Sequence, residues 1–176
     1  MLDRLDAAGL WYCVEGGWGI DALLGVQTRE HVDVDLGMRL DQVEQLRELL
    51  SEFEADEREW PASLRLRDAG GRRLDVHPLT FDERGDGWQA NLQGGEPYRW
   101  PREHIGAEGR IGGRAARCIT PELQSRWHDH EGADDVDWAD MVALSERFGL
   151  PGPGERPGFI APRRTVDETA QARHKT

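Results

Sequence analysis

The sequence predicts a mixed α/β (α+β) domain with helices at its C-terminal end, and three observations predict it. "HVDVDLGM" alternates apolar and polar residues and is rich in valine, as a half-buried strand is. Behind Asp41, the apolar residues Val43, Leu46, Leu50 and Phe53 recur at helical spacing. "SLRLRD" and "RRLDVHPL" flank Ala69-Gly70-Gly71, the pattern of two strands joined by a hairpin turn. At 176 residues the chain has the length of one domain with a sizeable core.

Taken in order, "LDRLDAAGL" reads as a short first helix ending at Gly9. "LWYCVEG" is an apolar run bounded by glycine, which suits a buried strand. "WGIDALLG" is a short helix closed by Gly25, and the valine-rich strand follows. Asp41 and Glu44 have capping-box spacing, so the next helix is placed at 41–53. The stretch 82–110 is rich in glycine and charge and reads as long loops, with one short strand near 89–92. "RIGGRAARCI" holds another strand or turn. Thr120-Pro121 is an N-cap followed by proline at the first helical position, so a helix starts there. Asp135 or Asp137 caps the last helix, whose apolar side carries Val136, Met141, Leu144 and Phe148. From Pro151 the composition turns to proline and glycine, then to polar residues. The expected organisation is one domain over 1–150 and a flexible tail over 151–176.

A formal net charge of -12 speaks against a nucleic-acid partner, whose phosphates the overall field repels. No apolar run is long enough to span a bilayer, so no membrane partner is expected. The N-terminus lacks a basic segment followed by an apolar one, which places the expected compartment in the cytoplasm. Cys13 and Cys118 show no metal-type spacing and read as buried, reduced core thiols. His128 and His130 stand two apart on an expected helix, so they do not face one metal.

Side chains alternate along a strand, so Asp33 and Asp35 share a face, with Val32, Val34 and Leu36 on the other. Two carboxylates that close repel each other unless a cation sits between them. All-oxygen ligands favour Mg²⁺ or Mn²⁺ over zinc. Asp75 lies between Leu74 and Val76 on a second strand and shares a face with His77. If the two strands are neighbours, Asp33, Asp35 and Asp75 converge. Gly16 and Gly17 follow a buried strand and precede a helix, where backbone amides can approach a phosphate.

This combination resembles the nucleotidyltransferase superfamily. "GGWGIDALLG", "TREHVDVDL", "LDVHPL" and "QANLQGGEPY" together look like the small lincosamide nucleotidyltransferases. The first two, with "GRAARCITPE", are also similar to the aminoglycoside 2''-nucleotidyltransferases. The resemblance runs in order from about residue 10 to 148 and implies the nucleotidyltransferase fold, a mixed β-sheet flanked by helices with C-terminal helices. It implies transfer of a nucleoside monophosphate from ATP or another nucleoside triphosphate to a hydroxyl of a small molecule. A lincosamide stands first as acceptor, an aminoglycoside second, and a toxin acting on a macromolecule third.

By this resemblance Asp33 and Asp35 bind metal, and Asp75 either completes the metal site or takes the acceptor's proton. As a base, Asp75 would need a raised pKa or a metal-acidified hydroxyl. Gly16 and Gly17 would hold the triphosphate, with Arg29 and His31 reaching its oxygens. Asp21 reads as structural. His77, Gln89 and Asn91 are candidates for the acceptor pocket, with Trp88, Tyr98 and Trp100 as apolar wall. With only two or three helices after the sheet, the pocket is expected to be shallow or shared across a homodimer.

Overall fold

A computed structural model of the chain describes residues 1–153. Helix α1 (Leu2–Ala7) buries Leu5 and is followed by strand β1 (Tyr12–Glu15), all four residues of which are buried. Helix α2 (Gly16–Leu24) begins at the next residue, so the glycine pair is its first turn rather than a loop before it. Gly25, with φ +74°, closes α2 as expected. Strand β2 (Val34–Arg39) starts one residue after Asp33, and Val32, upstream of the pairing, is exposed instead of packing with Val34 and Leu36.

The helix read at 41–53 is shorter in the structure. A 3₁₀ turn at Leu40–Gln42 leads into α3 (Val43–Leu49). Asp41 does not cap it, because the Arg39 guanidinium holds both Asp41 oxygens, at 3.0 and 2.9 Å. Leu50 and Phe53 are still buried, which is why they matched the helical period.

The edge strand β3 (Glu54–Asp56) precedes the hairpin of β4 (Leu64–Arg67) and β5 (Arg73–Phe81), which turns at the expected glycines. The region 82–110 holds more structure than its composition suggests: β6 (Gly87–Gln89), β7 (Tyr98–Trp100) and most of β8 (Ile105–Ile111). The first two span three residues each, too few to display alternation. Strand β8 pairs with β9 (Arg114–Ile119), and α4 (Pro121–His128) starts behind Thr120 as read. Helix α5 (Asp135–Phe148) is capped by Asp134, one residue earlier than expected. The Asp134 carboxylate accepts from Val136 and Asp137, and Asp137 accepts in return from the Asp134 N–H. On α5, Met141 and Leu144 are buried while Val136 and Phe148 are exposed. The flexible tail expected over 151–176 falls outside the described residues, apart from 151–153.

The described strands make one mixed sheet in the order β3-β4-β5-β2-β1-β9-β8, with β6 and β7 continuing from the far part of β5. The β2/β5 and β1/β9 pairs are parallel and the rest antiparallel. One face buries Val14, Leu36, Met38, Leu64, Leu74 and Val76 against α1 and α3. The other carries a smaller apolar cluster of Cys13, Leu79, Trp100, Ile119 and Leu123 and leaves room for polar residues beside it. Both cysteines are buried free thiols, and burial pushes Cys118 up to about 12. Among the described residues no helix is long and apolar enough to cross a membrane.

Candidate active site

Register builds the site. Asp35 stands opposite Asp75 across the parallel β2/β5 pair. Glu15 stands opposite Asp35 across β1/β2, and Arg65 opposite Asp75 across β4/β5. Residues in register share a face of the sheet. Glu15, Asp35, Asp75 and Arg65 therefore form one line across four strands, with the core residues Val14, Leu36, Val76 and Leu66 turned to the other side. Asp33, just before β2, borders the same cleft as Asp75. Asp35 and Asp75 thus share one face, and Asp33 stands at its border, before the strand pairing begins.

Gly16 ends this line. Its φ of +58° is one that glycine adopts without strain. A Cβ there would also collide with the Asp35 carboxylate. The first turn of α2 has no side-chain cap, so its free N–H groups stand next to the aspartates, where an anion is favoured. Asp35 itself is raised to about 7, by burial first and then by the nearby Glu15 and Asp33 carboxylates.

Asp75 sits differently. Ser63 Oγ donates to its Oδ1 at 2.5 Å and Arg65 Nε to its Oδ2 at 3.1 Å. Burial raises its carboxyl, but the bonds from His77, Ser63 and Arg65 outweigh that and hold it below the usual range. The raised pKa that a free-standing base would need is therefore absent. His77 lies 2.7 Å from Glu15 through Nδ1 and 3.5 Å from Asp75 through Nε2. Burial works against its charged form, yet Glu15 and Asp75 together keep its pKa well above the ordinary value.

The residues expected at the triphosphate are placed behind the turn. A Cβ on Gly17 would strike the His31 ring and the Arg29 guanidinium, so both pack directly on that glycine. Arg29 Nη1 lies 2.9 Å from His31 Nδ1 and Nη2 donates to Asp140 of α5 at 3.0 Å. A guanidinium only donates, so Nδ1 accepts and the ring proton is on Nε2. That proton faces Asp21 at 2.5 Å. Asp21 also accepts from the Thr28 N–H and hydroxyl, in keeping with the structural role read for it. The His31 side chain is 3% exposed, so its reach toward a ligand is small, whereas the Arg29 side chain is one-third exposed.

Gln89 and Asn91 are committed to the fold. Gln89 donates to the Ala62 carbonyl and accepts from Trp100 Nε1, and Asn91 bridges Glu96 and Gln93. Trp100 is fully buried over Gly37, where a Cβ would touch its ring, so it belongs to the core rather than to a pocket wall. Tyr98 is exposed, and Trp88 donates to Asp82. His128 pairs with Asp137 rather than with His130. Sequence reasoning missed Glu15, Ser63, Arg65 and Asp140. Glu15 alone left a signal, as the one charged residue in the apolar run "LWYCVEG".

The oxygen donors fit a hard divalent cation. Their mutual repulsion at Asp35 is the electrostatic state that such an ion relieves. Among the described residues no three of His, Cys, Asp and Glu already form a metal cage.

Solved structures share this architecture. The lincomycin-bound lincosamide antibiotic adenylyltransferase LnuA superposes with a TM-score of 0.72 at 27% identity, covering 82% of this chain and 91% of that one. ANT(2'')-Ia in complex with adenylyl-2''-tobramycin shares the fold, with a TM-score of 0.63 at 24% identity over 83% and 84% of the two chains. With the aspartates in register beside a glycine-led helix, the chain is a nucleotidyltransferase. Among curated relatives, a lincosamide resistance protein from Staphylococcus haemolyticus is 27% identical over 146 residues, 82% of this chain and 89% of that protein. A 2''-aminoglycoside nucleotidyltransferase from Klebsiella pneumoniae is 33% identical over 144 residues, 78% and 75% of the two chains. The chain belongs to the aminoglycoside-2''-adenylyltransferase family, whose model matches residues 1–144.

Proposed function

We propose that this chain moves a nucleoside monophosphate from ATP or another nucleoside triphosphate to a hydroxyl of a small antibiotic, a lincosamide before an aminoglycoside. The observation that carries the reading is the register of Asp35 against Asp75 with Gly16 pressed on Asp35. The lincosamide preference is supported by the coverage of LnuA, which the chain spans almost from end to end. Asp33 and Asp35 would hold Mg²⁺ or Mn²⁺, with Asp75 beside them. Such an ion, when bound, supplies charge neutralisation for the triphosphate and a lowered pKa for the attacking hydroxyl.

The chain's own residues do the rest. Gly16 and Gly17 present the first-turn amides of α2 to the triphosphate, and Arg29 and His31 brace that turn from behind. Asp75, kept ionised by Ser63, Arg65 and His77, orients the acceptor hydroxyl as a hydrogen-bond acceptor. The hydroxyl oxygen bonds to the α-phosphorus while its proton passes along the Asp75 hydrogen bond to solvent. The bond from the α-phosphorus to the oxygen it shares with the β-phosphate breaks, and pyrophosphate leaves with that electron pair.

Mass spectrometry tests this directly. Lincomycin, clindamycin and an aminoglycoside panel are incubated with the protein, Mg²⁺ and each nucleoside triphosphate. A nucleotide adduct on one drug, absent with Asp35→Asn, is the expected result. Nucleotide binding without an adduct on any drug would transfer the proposal to another acceptor.

A further inference from the structure

The line across the sheet has a direction. Gly16 and Glu15 stand at the β1 end, Asp35 in the middle, Asp75 next, and β4 beyond. If the triphosphate lies on the first turn of α2, as proposed above, the acceptor hydroxyl comes from the β4 side. There a cleft of about 480 Å³ runs from Asp33 and Asp75 to the β3 edge. Four arginines line it: Arg58, Arg65, Arg67 and Arg73.

Two of the four are neutralised locally. Arg65 binds Asp75 and Glu59, and Arg58 binds Asp56. Arg67 and Arg73 stand directly opposite each other across β4/β5, and both are exposed. Among the described residues neither forms an ion pair or side-chain hydrogen bond. Glu54, in register with Arg67 on β3, is the remaining cleft carboxylate not engaged by a guanidinium or placed at the reacting centre. Like charges placed opposite each other on a sheet are destabilising. A guanidinium can only donate hydrogen bonds. Both guanidiniums are solvated as they stand, so a ligand that displaces their water keeps their hydrogen bonds if it presents oxygen acceptors, and an ammonium group facing the pair is repelled.

We infer that Arg67 and Arg73 set acceptor specificity: they receive a hydroxyl- or carbonyl-rich face of the acceptor and exclude a polycation. The inference rests on the transfer reaction for the placing of donor and acceptor. It favours a singly charged lincosamide over an aminoglycoside bearing several ammonium groups. The net charge of -12 would suggest the opposite, and the four arginines of the cleft are matched in number by Asp33, Glu54, Asp56 and Asp75. The discrimination therefore rests on the exposed Arg67/Arg73 pair itself, the two cleft cations without an ion-pair partner among the described residues.

The test is calorimetric titration of tobramycin and lincomycin at fixed ionic strength. The proteins are wild type, Arg67→Glu/Arg73→Glu and Arg67→Gln/Arg73→Gln, each with Mg²⁺ and a non-hydrolysable ATP analogue. The glutamine pair keeps the comparison open should the glutamate pair fold poorly. The expected result is tobramycin bound at least about tenfold tighter by the glutamate variant than by wild type, with a smaller gain for the glutamine variant. Lincomycin should bind both variants more weakly than wild type. Unchanged tobramycin affinity across the three proteins would overturn the inference. So would wild-type turnover of tobramycin as efficient as that of lincomycin. Loss of every drug adduct in the mass assay would instead remove the antibiotic reading, while the calorimetric differences would still decide the arginine pair.

Discussion

The two ends of the carboxylate line are built in opposite ways. At the β1–α2 end nearly every polar side chain is already committed: Asp140 to Arg29, Arg29 to His31, His31 to Asp21, and Asp21 to Thr28. At the β4 end, Arg67 and Arg73 face each other without an ion-pair partner among the described residues. Both ends hold ion pairs that need no ligand, Arg65 with Asp75 and Glu59 at the β4 end, but only the β4 end keeps a pair of cations, Arg67 and Arg73, for the ligand proposed above. A donor shared by related reactions suits a prebuilt cradle, because preorganised groups need no rearrangement as charge develops. An acceptor surface that differs among relatives suits groups whose partner is the substrate itself.

The largest expected effect removes the centre that both ends serve. Asp35→Asn should lower transfer by at least about a thousandfold if the ion it holds carries the chemistry. The same variant should be more stable than wild type in metal-free buffer at neutral to alkaline pH. With its pKa raised from 3.8 to about 7, Asp35 contributes stability that is complete below the unfolded value and is lost as pH rises through the folded one. Melting curves should therefore separate progressively between about pH 4 and about pH 7 and stay apart above that, and Mg²⁺ should close the gap for wild type only. Equal melting temperatures across that range would contradict the electrostatic account of Asp35.

Gly16→Ala attacks the braced end. It places a methyl into the Asp35 carboxylate and strains a backbone held at φ +58°. A loss of about a hundredfold in kcat/KM is expected, with a fall in melting temperature of several degrees. Milder still is Asp140→Ala, which frees Arg29 while leaving the reacting centre intact. Steady-state kinetics should show KM for the nucleotide raised about tenfold with kcat and the acceptor KM nearly unchanged. Asp140→Asn, which can still accept from Arg29, should recover most of the loss. A rise in acceptor KM instead would blur the division between the two ends.

Glu15→Gln should have the smallest effect on rate, a few-fold, because Glu15 acts at one remove, through its bond to His77 and its charge on Asp35. Its readout is an NMR titration of His77. Removing the carboxylate that favours the imidazolium should move the histidine pKa down toward its ordinary value. An unmoved titration would mean that Asp75 alone holds the charge.

Much of this was readable from residue order. The Asp33/Asp35 alternation, the Asp75/His77 pair, the β4–β5 hairpin, the end of α2 at Gly25 and the start of α4 all follow from local rules of period, capping and turn chemistry. The misreadings have a common cause. Asp41 has cap spacing but lies within reach of Arg39, and Trp100 looks like a pocket aromatic but packs over Gly37 from another strand. Gln89 and Asn91 sit in a matching motif yet bond to the surrounding backbone and to Trp100.

By itself, then, the sequence determined which residues carry charge on which side of each strand, because the period of a β-strand is local. It also determined that a glycine pair lies between the first strand and the helix that follows, although only the structure makes that pair the helix's first turn. Tertiary structure alone decided that β2 lies between β1 and β5 in a register that sets Glu15, Asp35, Asp75 and Arg65 on one line. It likewise decided that Asp140, more than a hundred residues away, anchors Arg29 behind Gly17. Strand order and register are settled by how whole faces bury against one another, and no stretch of chain short enough to be read locally contains that information.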